Sequence, residues 1–197
     1  MGRTMGGRKA GLRQVEKHDV FCSLSRFQQM PPDLELIRAI RSGYQLPWRG
    51  VHGVVHWARV LENGVRLAEV TGAKIEVVRL FAVFHDSRRA NEDHDPGHGR
   101  LGAAFAAVLR GKLFELSDKD FELLRVACTE HTMGKTHGDV TIQTCWDADR
   151  LDLGRVGIYP EARYLCTEAA KDKQMITSAY ERSVSRVVPG IVAEWEK

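Results

Sequence analysis

The chain has 197 residues, 43% of them hydrophobic and 28% charged, which is ordinary usage for a globular protein with one core. No window approaches the ~20 unbroken apolar residues of a membrane span, and the first residues lack the apolar stretch of a secretion signal, so the expected location is the cytoplasm. The formal net charge of +3 is concentrated at one end: residues 1–30 carry six Lys/Arg against two acids, leaving 23 against 24 in the remainder. A near-neutral body argues against a nucleic-acid track, and the glycine-rich basic segment 1–30 reads as a flexible leader ahead of a single domain over 31–197.

Pro31 and Pro32 followed by Asp33 begin a helix that stops at Gly43. From Val51 to about Thr71 a longer helix confines Arg59, Glu62, Arg66 and Glu69 to one polar stripe, so most of its circumference is buried. Residues 74–85 form a strongly apolar helix, followed by a loop over 91–99 and a helix from Arg100 to Gly111. Ser117 with Asp120 resembles a capping box opening a helix that runs to His131. Further helices are expected over 140–155, from Pro160 onward, and over 172–188, where Pro189 and Gly190 break or kink the chain. No segment alternates as a strand does, and the class is all-α. Cys22, Cys128, Cys145 and Cys166 form no close pair and read as reduced thiols.

His56 lies outside the polar stripe of its helix and so faces protein. A lone buried histidine is commonly a core residue. His85 and Asp86 end an apolar helix, where an unpaired carboxylate is costly unless a cation or hydrogen bonds compensate. Helix phase puts Asp149 in register with Ile142, Cys145, Leu153 and Val156, on the apolar face. It turns Asp147 about 200° away, toward solvent or a supporting position. His52, one helical turn before His56, reaches the same side as a supporting residue or proton donor, or is an ordinary surface or core histidine.

Together, His56 with Arg59-Val60, the pair His85-Asp86, and the run Asp147-Ala148-Asp149-Arg150-Leu151-Asp152 resemble the HD superfamily of metal-dependent phosphohydrolases over residues 33–160. The resemblance implies a compact bundle of about six to eight helices. It also implies a divalent metal (Mn, Fe, Zn, Co, Ni or Mg) held by His56, His85, Asp86 and Asp149, with Asp86, Asp149 and His52 as the catalytic groups. His98, with Gly102-Ala103 after it, and His131, in Glu130-His131-Thr132-Met133-Gly134, resemble elements of the bacterial symmetrical diadenosine-tetraphosphate hydrolases. In that branch both positions serve a second metal bridged by the Asp of the pair; a phosphate contact is the alternative for His98. The Gly-Tyr-Pro run of the HD-GYP phosphodiesterases is missing.

A divalent metal lowers the pKa of bound water from about 15.7 to about 7. Arg88, Arg89, Arg100, Lys135 and His137 flank the ligands and are candidates to clamp substrate phosphate. The expected partner is a nucleotide or related small phosphorylated molecule, with no specific nucleic acid and no membrane; a homo-oligomer is compatible with the sequence. A di-iron oxygenase and a non-catalytic nucleotide-binding module on the same scaffold are the competing readings.

Overall fold

The computed structural model describes Met1 and residues 32–197. The leader reading of residues 1–30 and Cys22 lies outside the described residues. Nine α-helices are described, seven of them nine residues or longer, together with two 3-10 turns. Among the described residues there is no strand, only an isolated bridge between Arg110 and Phe114.

Helix α1 (Leu34–Ser42) starts where the Asp33 side chain accepts from Glu35 N, and buries Leu36, Ile37 and Ile40. Helix α2 (Val54–Thr71) and helix α3 (Ile75–Phe84) are joined by a left-handed Gly72 and pack against each other. Helix α4 (His98–Leu109) lies on helix α5 (Asp118–Glu130), which Ser117 caps by accepting from Asp120 N at 3.1 Å. Helix α6 (Val140–Arg150), capped by Asp139, packs on α2, α3 and α5. The core between these helices holds Trp57, Phe81, Phe84 and Trp146, all essentially inaccessible to water. Val77 to Phe84 are buried without interruption, the central helix that the apolar sequence requires. Cys128, Cys145 and Cys166 are free thiols.

Two glycines decide how closely α4 can approach. A Cβ on Gly102 would stand 2.2 Å from Phe84 O, and one on Gly99 would stand 2.1 Å from Cys128 O. Both distances are impossible for real atoms, so only glycine allows α4 to touch the ends of α3 and α5. That contact brings the first residue of α4, His98, to the end of each.

The C-terminal third departs from the sequence expectation. The helix expected over 140–155 ends at Arg150; a 3-10 turn (Leu153–Val156) follows, closed by Gly157 at φ 80°. No α-helix opens at Pro160; a 3-10 turn (Ala162–Tyr164) stands there instead. The backbone there is held by side chains instead of by its own helical ladder. Arg150 donates to Tyr164 O at 2.9 Å, and Asp147 accepts from Cys166 N at 2.7 Å and Thr167 N at 2.8 Å. Short helix α7 (Glu168–Lys171) leads to helix α8 (Lys173–Val184), which stops short of 188 where Arg186 takes φ 51°. Helix α9 (Ile191–Trp195) begins after Pro189, so the break expected there is real, and a further turn of helix follows it.

Candidate metal centre

Five helix ends converge on one point. His56 lies in the first turn of α2, His85 and Asp86 follow α3, His98 opens α4, His131 follows α5, and Asp149 is one residue from the end of α6. His56 and His85 are 0% exposed, and the Asp149 side chain is 13% exposed.

The first group is His56, His85, Asp86 and Asp149. His56 Nε2 stands 3.0 Å from His85 Nε2, 3.6 Å from Asp86 Oδ2 and 3.4 Å from Asp149 Oδ1. His85 Nε2 is 3.6 Å from Asp86 Oδ2 and 3.9 Å from Asp149 Oδ1. Atoms about 2.1 Å from a shared ion stand about 3.0 Å apart at neighbouring octahedral positions and about 3.4 Å apart in a tetrahedron, so these separations suit one cation.

The hydrogen bonds fix which nitrogens carry protons. His85 Nδ1 donates to Phe81 O at 3.1 Å, and a carbonyl can only accept. His56 Nδ1 donates to Asp152 Oδ2 at 2.7 Å, a carboxylate that Arg59 keeps ionised through bonds of 2.6 and 3.1 Å. Burial pushes the His85 pKa down to about 3, so its Nε2 is a bare lone pair. His56 turns its Nε2 to the same point, 3.0 Å from His85 Nε2, where both nitrogens are in position to ligate one cation. Asp149 Oδ1, beside them, is buried without a hydrogen-bond partner.

The second group is Asp86, His98 and His131. Asp86 Oδ1 faces His98 Nε2 at 3.0 Å and His131 Nε2 at 3.6 Å, and the two ring nitrogens are 2.9 Å apart. His98 Nδ1 donates to Asp95 O and His131 Nδ1 to Cys128 O at 2.7 Å. Both Nε2 atoms again point inward. Asp86 thus turns one oxygen to each histidine pair, the geometry of a bridging carboxylate. Its own pKa is held well below the ordinary value: burial works against this, but His85 and the facing His131 and His98 rings prevail. His131 is raised despite its burial, because Asp86 draws a proton onto it. A cation bound here takes that proton's place. His56, His85 and Asp86 of the first group, and Asp86, His98 and His131, lie close enough together to hold a divalent metal ion.

A cleft of about 260 Å³ opens onto both groups, lined by His52, Asp86, Arg89, His131, Thr132, Asp149, Arg150, Leu153, Arg155 and Val156. His52 sits in the turn before α2, not on the helix. Its ring centroid is 6.4 Å from that of His56, and its Nδ1 pairs with Glu92 at 2.5 Å. Burial lowers the His52 pKa, with Asp86 and Glu92 opposing.

Of the expected phosphate clamps, Arg89 alone reaches the cleft. Arg88 stacks on Phe105 at 3.5 Å, Arg100 and His137 are exposed, and Lys135 pairs with Glu130 at 2.9 Å. The structure adds Arg150 and Arg155 in their place. Asp147, for which solvent was one expected environment, is fully buried and holds the 166–167 backbone; burial raises its pKa. Arg59, assigned to a polar stripe, is 5% exposed and paired with Asp152. Asp152 itself ends the sequence run that carried the resemblance, but its contact with His56 crosses 96 residues and leaves no local signal.

No family model matches the chain, and no curated protein matches it significantly. Among the described residues no helix is long and apolar enough to cross a membrane. The chain is similar in structure to a predicted HD superfamily hydrolase from an uncultured Thermotogales bacterium, with a TM-score of 0.59, 23% identity, and coverage of 88% of this chain and 98% of that one. The helical bundle therefore has the fold of that predicted HD superfamily hydrolase.

Proposed function

We propose that the protein is a metal-dependent phosphohydrolase acting on ester or anhydride bonds of a nucleotide or related small phosphorylated molecule in the cytoplasm. The observation that carries this reading is the facing pair of buried histidine lone pairs, His56 and His85, with two carboxylates beside them. His56, His85, Asp86 and Asp149 would hold a first cation, and Asp86, His98 and His131 a second. A divalent cation so held supplies a Lewis acid and makes water nucleophilic near neutral pH. The Asp86 carboxylate, with one oxygen toward each histidine pair, would serve both positions, and Asp149 would complete the first from the cleft side. His52, backed by Glu92 beside the cleft, would act as proton donor to the leaving group in its imidazolium form. The cleft admits a phosphoryl group and part of an organic group, and the near-neutral body offers no track for a polymer.

The test is phosphate release from a panel of phosphorylated small molecules, with and without Mn, Co, Zn, Ni, Fe or Mg. Release should require metal and be abolished by Asp86→Ala or Asp149→Ala in protein whose circular dichroism shows it folded. Undiminished release in both variants would overturn the reading. Four histidines around a bridging carboxylate also suit two irons; resident iron with oxygen consumption and no phosphate release would support an oxygenase instead.

A further inference from the structure

Three arginines line the cleft, and their hydrogen bonds separate them. Arg150 spends its donors on Lys135 O at 2.7 Å and Tyr164 O at 2.9 Å, tying two loops together. Arg89 spends its own on Asn91 O at 3.2 Å and Asp93 O at 2.5 Å, and its remaining nitrogen stands against His98 at 3.3 Å. Both are structural ties. Arg155 differs. Its only hydrogen bond among the described residues runs from Nη1 to Asp152 O at 3.1 Å, and its buried Nε has no partner. Nη2 stands 3.7 Å from Asp149 Oδ1, beyond hydrogen-bond distance. The side chain is nevertheless only 9% exposed.

The donors left over are chemically specific. Nε and Nη2 form the side-on edge of the guanidinium, two parallel N–H groups that match two oxygens of one phosphate or carboxylate. The bonded Nη1 fixes the other end. Asp152 O, its acceptor, also accepts from Ser183 Oγ at 2.9 Å, and a Cβ on Gly154 would touch Tyr180 and Ser183 at 3.0 Å. The 3-10 turn carrying Arg155 is thus docked on α8 and cannot swing.

Charge completes the case. Arg155 Nη2 faces Asp149 Oδ1 at 3.7 Å, so the two groups form a charge pair. When Asp149 Oδ1 ligates a cation, that carboxylate is shared, and a nearly buried guanidinium is left beside further positive charge. Such a site favours an anion strongly.

We infer that Arg155 is the anion receptor of this site, gripping two oxygens of a tetrahedral phosphoryl group side-on while Leu153 and Val156, on the same turn, meet the organic portion. The identification of the anion as phosphoryl rests on the phosphohydrolase reading; the receptor role rests on the free edge and its burial.

The experiment uses the full chain loaded with Co(II), titrated with inorganic phosphate by calorimetry, with cobalt content measured for each variant. The wild type binds phosphate; Arg155→Gln weakens binding on the order of tenfold or more at unchanged cobalt content, and Arg155→Lys weakens it too, because one ammonium cannot replace the fork. If the glutamine variant does not fold, the lysine variant decides. Phosphate binding equally tight in wild type and in the folded variants overturns the inference, as does a cobalt-loaded wild type that binds no phosphate. Arg155-dependent phosphate binding in a protein that hydrolyses none of the compounds tested refutes the hydrolase reading and leaves the receptor in place.

Discussion

Asp152 accepts the Nδ1 proton of His56 at 2.7 Å through one oxygen and bonds Arg59 Nε at 2.6 Å through the other. Burial tends to raise its pKa, but His56 and Arg59 hold it down at about 2. The carboxylate therefore stays ionised and keeps the His56 proton on Nδ1, leaving Nε2 free to ligate. An amide at this position can present its N–H₂ to Nδ1 and drive the proton to Nε2, the wrong atom. Asp152→Asn should lower affinity for the first metal by about 10- to 100-fold. Titration against a competing chelator measures this; unchanged affinity in the folded variant would exclude an orienting role for Asp152.

Four inward-facing histidine nitrogens and two carboxylates make the metal-free centre the costliest part of the fold. Metal should therefore stabilise the protein. At 100 times the dissociation constant, binding contributes about 2.7 kcal/mol per site. For a domain of this size, each kcal/mol raises Tm by about 2–4 °C. Thermal melts with chelator and with saturating Mn(II) or Zn(II) should differ by several degrees or more. Identical melts would mean that the lone pairs are satisfied in some other way. The second site should release protons as it fills at a pH where His131, whose pKa Asp86 raises in the metal-free protein, is protonated, and a pH-stat or paired calorimetric buffers will detect it.

Acid should destabilise the metal-free protein in a defined window. The His85 pKa falls from 6.5 to about 3 on folding, chiefly through burial. Below pH 6.5 the unfolded chain takes a proton that the folded one refuses, so stability falls as pH falls toward 3. The slope is up to about 1.4 kcal/mol per pH unit for one proton. Asp152, shifted from 3.8 to about 2, adds a further loss between those values. His131 has the opposite sign: its raised pKa gives stability present below 6.5 and lost as pH rises through the folded value. Urea unfolding in chelator at pH 6, 5 and 4 should show a steady fall; a flat profile would place His85 outside the buried, neutral state.

The parts of the site legible in the sequence are those that a helix dictates by itself. Phase alone turned Asp149 inward, and the apolar run before His85 and Asp86 marked their burial. Asp152 and Arg155 were not legible, because the chain leaves α-geometry after Arg150. On a helix continued to 155, Arg155 would fall about 240° round from Asp149, away from the site. The 3-10 turn brings it to 3.7 Å. Arg59 shows the matching limit: periodicity separates polar from apolar positions, but it does not distinguish water from a buried carboxylate as the partner. The helix expected after Pro160 failed for the same reason, since Asp147 and Arg150 capture that backbone from a distance.

His52 is held in a turn beside the cleft, where burial lowers its pKa and Asp86 and Glu92 oppose that shift, so it donates a proton only from the imidazolium that those carboxylates favour. Its Nδ1 faces Glu92 at 2.5 Å, and Tyr44 donates to His52 O at 2.9 Å, so both ring and backbone are pinned at the cleft. With Nδ1 tied to Glu92, Nε2 is the atom left for substrate, and it donates only from the imidazolium, which burial disfavours and Asp86 and Glu92 favour. His52→Gln keeps a polar side chain but cannot transfer the proton. If His52 donates to the leaving group, the variant should lose about 10²- to 10⁴-fold in kcat with metal content unchanged. The loss should be smallest for substrates with acidic leaving groups, such as a nitrophenyl phosphate, which need no proton. Equal losses for good and poor leaving groups would instead make His52 a positioning residue, acting through the substrate's orientation and not through its proton.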